Sequence, residues 1–143
     1  MNWKYVLTDL DGRINRKPYW IGILVLLAIG LPLQAIGFRV GGEALAIILG
    51  LLFLYPSFAI NVKRAHDRNR PTWLIAVFFA VLIAVNVLQL LGLGQTADGP
   101  TTLYLAIAIP WFILALYLFV ELACLRGTRG ANQYGPDPLE GRG

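Results

Sequence analysis

The stretch that decides the fold is WIGILVLLAIGLPLQAIGF, residues 20–38, which carries no charged side chain. As an α-helix it would measure about 28 Å, close to the roughly 30 Å of hydrocarbon in a bilayer. Of the 143 residues in the chain, 57% are hydrophobic and only 14% are charged, and the mean hydropathy is +0.65. A soluble domain of this size needs more polar surface, so the composition indicates a membrane protein.

Three further stretches share this uncharged, apolar character. None of the four shows the alternation of a barrel strand, and a helix satisfies its own backbone hydrogen bonds in lipid. The sequence therefore predicts an all-α membrane protein in which residues 1–143 form a single integral-membrane domain. The predicted transmembrane helices cover about residues 20–38, 44–62, 73–92 and 103–125.

The cations are distributed very unevenly among the segments that join these spans. Of the 12 lysines and arginines, only Arg39 lies outside the amino terminus, the central connector and the carboxyl terminus. Because cytoplasmic loops are enriched in Lys and Arg, this bias predicts that both termini are cytoplasmic. The cytoplasmic segments would be 1–19, 63–72 and 126–143. Orientation also accounts for the net charge of +4 without a nucleic-acid partner.

The amino-terminal segment has a pattern of its own. Apolar residues follow helical spacing from Trp3 to Ile14, with polar residues on the other side of the wheel. This spacing predicts a short amphipathic helix that lies in the cytoplasmic interface and stops near Gly12. A helix packed as a cap over the end of the bundle is the alternative, and the pattern does not separate the two.

Three polar motifs interrupt the apolar runs: GRINRKPYW at residues 12–20, KRAHDRNRPTW at 63–73 and GTRGANQYGPDP at 127–138. In this order, the motifs resemble the bacterial inner-membrane family called domain of unknown function 805. The central motif departs from the family pattern at RNRPTW, where Pro71 should stiffen the turn. The resemblance implies a small helical bundle in the bacterial inner membrane, and it implies no activity.

With four spans, all three motifs fall on the cytoplasmic side, so their side chains are expected to lie close together. The surface that they would form either binds a ligand or holds the fold together, and the sequence leaves both readings open. The predicted cluster contains Arg13, Arg16, Tyr19, Trp20, Lys63, Arg64, His66, Asp67, Glu121, Asn132, Tyr134 and Asp137.

Individual roles follow from residue type and position. We expect Asp67 to pair with a nearby arginine or to cap a helix, and His66 to link the connector to the tail. Glu121 is ionisable yet lies inside the end of the fourth predicted span, which predicts a partner: Lys63, Arg64 or Arg126, with Arg64 taken as the hypothesis. The chain has one histidine and one cysteine, Cys124, so neither a metal site nor a cofactor is predicted, and no disulfide can form within the chain.

Polar residues inside the spans carry a further expectation. Asn86 and Gln89 share a helix face and could hydrogen-bond across helices, and Gln34 and Asn61 are the other amides in or beside the spans.

Three functional classes remain open at this stage. The first, which we favour, is a binding module whose cytoplasmic surface contacts anionic lipid headgroups, an anionic ligand or a protein partner, with a homo-oligomer as one arrangement. The second is an oligomeric transporter or channel component. The third is a membrane enzyme acting on a lipid-linked substrate; no residue is assigned a catalytic role, and a non-enzymatic role is favoured.

Overall fold

The computed structural model describes residues 2–140, which are mainly helical. Arg142, one of the cations used to predict orientation, lies outside these residues. Two short strands pair between the last two long helices, and the final helix continues into π-helical turns at Phe119–Cys124. The elements are α1 (Trp3–Thr8), α2 (Arg16–Leu51), α3 (Leu54–Asp67), α4 (Thr72–Leu90), β1 (Gln95–Thr96), β2 (Gly99–Pro100) and α5 (Thr102–Leu118).

The chain reverses direction inside α2. Gly42 has φ +70° and ψ −162°, a conformation open to glycine and strained for other residues. The two limbs then pack closely: a Cβ at Gly37 would lie 2.6 Å from the Leu49 side chain, and one at Gly22 would lie 2.8 Å from Ile60. Small residues thus let the outgoing and returning limbs approach along their length.

The returning limb is not one helix. Where the sequence predicts a continuous helix over 44–62, the structure has a break at residues 52–53, between α2 and α3. Pro56 explains the position of the break, because it has no N–H to donate to the carbonyl of Leu52, four residues earlier. Within residues 2–140, three helices are long and apolar enough to cross a membrane, namely Arg16–Leu51, Thr72–Leu90 and the combined stretch Thr102–Cys124.

The amino-terminal helix is shorter than predicted and ends at Thr8, four residues before Gly12. Its last turn is held by the Lys63 ammonium group, which donates to the carbonyls of Tyr5 and Val6. The last carbonyls of a helix have no N–H partner within it, so the Lys63 ammonium group supplies their hydrogen-bond donor. Val6 is only 2% exposed and belongs to the hydrophobic core, which favours the packed-cap alternative.

The last two long helices agree closely with the predicted third and fourth spans. They are joined by the β1–β2 hairpin and contact each other through Trp111, whose indole N–H donates to the Phe78 carbonyl at 3.2 Å. The two rings also stack, with centroids 5.2 Å apart. Aliphatic side chains along the helices, such as Leu31 at 60% exposure, point outward as lipid-facing residues do.

The core lies at one end of the bundle. Ile60, Val62 and Ile75 are fully buried there, beside charged residues that are equally buried. We call this the polar end and define it as the region where residues 2–17, 63–72 and 119–140 meet. The turns at Gly42 and at the β1–β2 hairpin lie at the opposite end.

Candidate functional site

Arg13 is the centre of the polar end. Its guanidinium group donates to the carbonyls of Gly130, Thr128 and Gly135 at 2.8, 2.8 and 3.1 Å. It also pairs with the Asp67 carboxylate, with Nη2 3.2 Å from Oδ1, and only 1% of its side chain is exposed. One side chain from the amino-terminal motif therefore ties the central connector to the tail.

Asp67 has a second cationic partner in Arg64, three residues earlier on α3. The Arg64 side chain is fully buried, and its remaining donors reach the carbonyls of Leu122 at 2.6 Å and Leu125 at 2.5 Å. This confirms, in the structure, the expectation that Asp67 pairs with nearby arginines. The negative charge of Asp67 and the positive charges of the two guanidinium groups balance one another, and each would be costly to bury alone.

The tail passes so close to this pair that only glycine fits at position 127, because a Cβ there would collide with the Asp67 carboxylate. The next residue, Thr128, donates its backbone N–H to the Asp67 carbonyl at 2.8 Å. The tail motif is therefore folded against the connector.

The end of the last membrane helix is capped entirely by side chains from elsewhere. The final carbonyls of a helix lack partners within it. Those of Leu122 and Leu125 accept from Arg64, that of Ala123 from the Trp20 indole at 3.2 Å, and that of Cys124 from Arg16 at 3.2 Å. Cations at this position also oppose the negative end of the helix dipole. Trp20 and Arg16 thus have structural contacts in this chain.

His66 links three segments. Its Nδ1 lies 3.2 Å from the Gly12 carbonyl and must donate to it, so Nε2, 2.8 Å from the Thr72 hydroxyl, accepts. The ring stacks on Tyr134 with centroids 3.8 Å apart, and the His66 carbonyl accepts from the Asn132 amide at 2.9 Å. The expected link from the connector to the tail is present.

Tyr19 and Asp137 make local contacts at the edges of this cluster. The Tyr19 hydroxyl donates to the Asn61 side chain at 3.3 Å. Asp137 accepts the backbone N–H groups of Leu139 and Gly130 at 2.9 and 3.0 Å, and these bonds lower its pKa. The carboxylate therefore shapes the tail and does not join the Arg13–Asp67–Arg64 group directly.

The expected Glu121–Arg64 pair is wrong. Glu121 is 5% exposed and pairs with the connector arginines Arg70 at 2.8 Å and Arg68 at 3.1 Å. Arg64 instead directs its guanidinium group to Asp67 and to the carbonyls of Leu122 and Leu125. The π-helical turns contain Glu121 and alter the direction of side chains relative to a regular helix, which spacing along the sequence could not reveal.

Burial shifts the protonation equilibria of this group. It raises the pKa of Asp67, an effect that Arg64 and Arg13 oppose, and it lowers the pKa of Arg64. The pKa of His66 is lowered by burial, with the Gly12 carbonyl opposing. Burial also lowers the pKa of Lys63 to about 8.

A pocket of about 120 Å³ opens beside the buried group. Its walls include the arginines Arg16, Arg64 and Arg126 and the aspartates Asp67 and Asp137. Both aspartates are already hydrogen-bonded, as described above. Arg126 is exposed, and its guanidinium group donates to no residue between 2 and 140, so the pocket retains donors for an anion.

Sequence reasoning missed five residues of this end, namely Arg68, Arg70, Arg126, Gly127 and Thr128. The sequence contains signals for some of them. The connector is rich in cations, which predicts carboxylate partners, and a glycine at the start of the tail motif is typical of close backbone approach. Across residues 2–140, no group of three or more His, Cys, Asp or Glu side chains is arranged to hold a metal ion.

Comparison with known proteins agrees with the motifs. The family described as Protein of unknown function (DUF805) matches residues 7–136. The "Uncharacterized protein YiiR" of Escherichia coli is 35% identical over 138 residues, covering 92% of this chain and 86% of that protein. No solved structure matches the chain.

Two further relatives carry a location in their names. The "Inner membrane protein YhaH" of Escherichia coli is 30% identical over 89% of this chain and 84% of its own length, and the "Inner membrane protein YhaI" is 26% identical over 92% and 86%. With three membrane-capable helices, these relatives identify an integral inner-membrane protein. The chain belongs to the DUF805 family.

Proposed function

We propose that this protein crosses the membrane four times, with the polar end in the cytoplasm, and binds an anionic phospholipid headgroup there. The two limbs around Gly42 are antiparallel, and together with α4 and α5 they make four passes. The cation bias favours the cytoplasm for the end that carries residues 2–17, 63–72 and 119–140.

The observation that carries the binding proposal is the pocket between Arg16 and Arg126. Arg16 begins α2 and Arg126 follows the last turns of the final span, so both lie where a membrane helix leaves the hydrocarbon. A phosphate at this depth would meet two guanidinium groups and the amino-terminal end of the outgoing limb of α2. The volume of about 120 Å³ suits a headgroup phosphate better than a large soluble ligand.

The buried arginines support a structural role for the rest of the predicted cluster. Arg13 and Arg64 use their donors on Asp67 and on backbone carbonyls, which removes them from direct ligand binding. Headgroup binding therefore belongs to the exposed arginines, and the buried group shapes the pocket that they line.

Native mass spectrometry of the full-length protein, released from mixed phosphatidylglycerol and phosphatidylcholine nanodiscs, tests the proposal. We expect retained phosphatidylglycerol in the unchanged protein and several-fold less in Arg126→Gln and Arg16→Gln. Arg129→Gln is the matched control, because it removes one exposed arginine from the same end outside the pocket. Equal loss in all three variants would show a general charge effect and overturn the proposed site, and inorganic phosphate that displaces the lipid would identify the phosphate as the recognised group.

A further inference from the structure

A second pocket, of about 220 Å³, lies toward the opposite end, between the two limbs of α2 and α4. Most of its walls are aliphatic, but three polar side chains, Gln34, Glu43 and Asn86, also line it. Asn86 is four residues before the end of α4 at Leu90, about one helical turn, and Glu43 directly follows the Gly42 reversal. The pocket is therefore close to the membrane boundary opposite the polar end.

The two amides are not used to join helices. The Asn86 side-chain nitrogen donates at 2.8 Å to the Leu82 carbonyl of its own helix, which leaves its Oδ1 free as an acceptor. Gln34 lies over Gly50, and its amide has no hydrogen-bond partner among residues 2–140. The expected bonds across helices from Asn86 and Gln89 are thus not formed. Unpaired polar groups among aliphatic side chains are costly, so an occupant that satisfies them is favoured.

The free groups define the chemistry of that occupant. Asn86 offers its oxygen and one remaining N–H, Gln34 offers the oxygen and the N–H groups of its amide, and Glu43 offers a carboxylate. The pocket thus combines two amides, which can accept or donate, with an exposed carboxylate that forms no salt bridge within residues 2–140. A group with several N–H donors and a positive charge complements this arrangement, whereas an anion does not.

We propose that this pocket binds a protonated primary amine at the membrane surface opposite the polar end. The ammonium group donates to the Asn86, Gln34 and Glu43 oxygens, and an attached carbon chain lies along Ile47 and Leu82. Such an amine is presented either by an aminophospholipid headgroup or by a small soluble amine, and both supply the same –NH3⁺ group. A quaternary ammonium has no N–H and cannot make these bonds.

The test compares lipids that differ only in that group. The full-length protein is placed in nanodiscs that contain phosphatidylethanolamine or phosphatidylcholine with identical acyl chains, and retained lipid is measured by native mass spectrometry. We expect about tenfold preferential retention of phosphatidylethanolamine, as two or three modest hydrogen bonds would give. Equal retention of the two lipids overturns the proposal for a lipid, and displacement by free ethanolamine assigns the site to soluble amines.

Variants locate the site. Asn86→Leu and Gln34→Leu should each abolish the preference, and the folded state of each is checked by its thermal midpoint. Gln89→Leu is the matched control, since it removes an amide from the same helix outside the pocket. Loss of the preference in Gln89→Leu as well, or its survival in Asn86→Leu, would overturn the assignment. Arg126→Gln should leave this preference unchanged, which would show that the amine site is independent of the anionic site at the polar end.

Discussion

At the scale of single residues, the polar end depends on charges that cannot reach water. Arg13 and Arg64 both pair with Asp67, and each also donates hydrogen bonds to backbone carbonyls that would otherwise be unpaired. Breaking such a group by removing one partner is more costly than the net value of the pair, because an unpaired buried charge is left behind.

Replacement of Arg13 tests this dependence. We expect Arg13→Met to lower the free energy of unfolding by about 3–5 kcal/mol, because Asp67 loses one cation and three carbonyls lose their donor. Equilibrium unfolding in detergent measures the change. Arg129→Met, which removes an exposed cation, should stay within about 0.5 kcal/mol of the unchanged protein. A comparable loss in both variants would contradict the assigned role of Arg13.

The lowered pKa of His66 predicts a dependence on pH. The folded protein holds this ring neutral, so below the usual pKa of 6.5 the unfolded chain takes up a proton more readily than the folded one. Stability should therefore fall as the pH drops from about 7.5 to about 5.5. Asp11 is the nearby charge that opposes the shift. Unfolding at both pH values should show this slope in the unchanged protein and a smaller one in His66→Gln; equal slopes would contradict it.

At the scale of elements, the carboxyl end of the final span explains why the connector and the start of α2 are basic. Side chains of Arg64, Arg16 and Trp20 donate hydrogen bonds to four successive carbonyls there. These bonds hold α2 and α3 against the end of the final span. The number of cations at this end is the basis of the predicted orientation, and these contacts explain the positions of Arg16 and Arg64.

The reversal within α2 gives a prediction of its own. Gly42 has backbone angles reserved for glycine, so Gly42→Ala should cost about 1–3 kcal/mol of stability although a Cβ would meet no atom within 4 Å. Gly50→Ala is the control, because it lies within a regular helix and its Cβ would make an ordinary contact with Gln34 at 3.4 Å. Thermal unfolding compares them. If Gly42→Ala left the thermal stability unchanged, the backbone conformation described for Gly42 would be contradicted.

At the scale of the whole molecule, membrane class, approximate spans and the grouping of the three motifs could be predicted from sequence, because each depends on composition or order along the chain. The break at residues 52–53 and the partner of Glu121 could not. Pro56 predicts a distortion of this helix but does not show that the helix stops at residues 52–53, and the partner of Glu121 depends on π-helical turns that spacing along the chain does not reveal.

Accessibility of single cysteines tests the proposed topology. In a Cys124→Ser background, Asp98→Cys in the β1–β2 hairpin should react with a membrane-impermeant maleimide on intact spheroplasts. Arg129→Cys should react only after the membrane is permeabilised if the polar end faces the cytoplasm, as proposed. Labelling of both positions from the same side would mean that the chain does not cross four times.

The contacts of Arg13 also set an order of events during synthesis. Its carbonyl partners at Thr128, Gly130 and Gly135 are more than 110 residues away along the chain. While the ribosome is still making the final span, the carbonyls of the tail do not yet exist, so Arg13 and Asp67 lack these partners. The polar end can therefore mature only after the segment from Thr128 to Gly135 has been made, and a chain that stopped before Thr128 would leave this end uncovered and accessible to quality-control proteases.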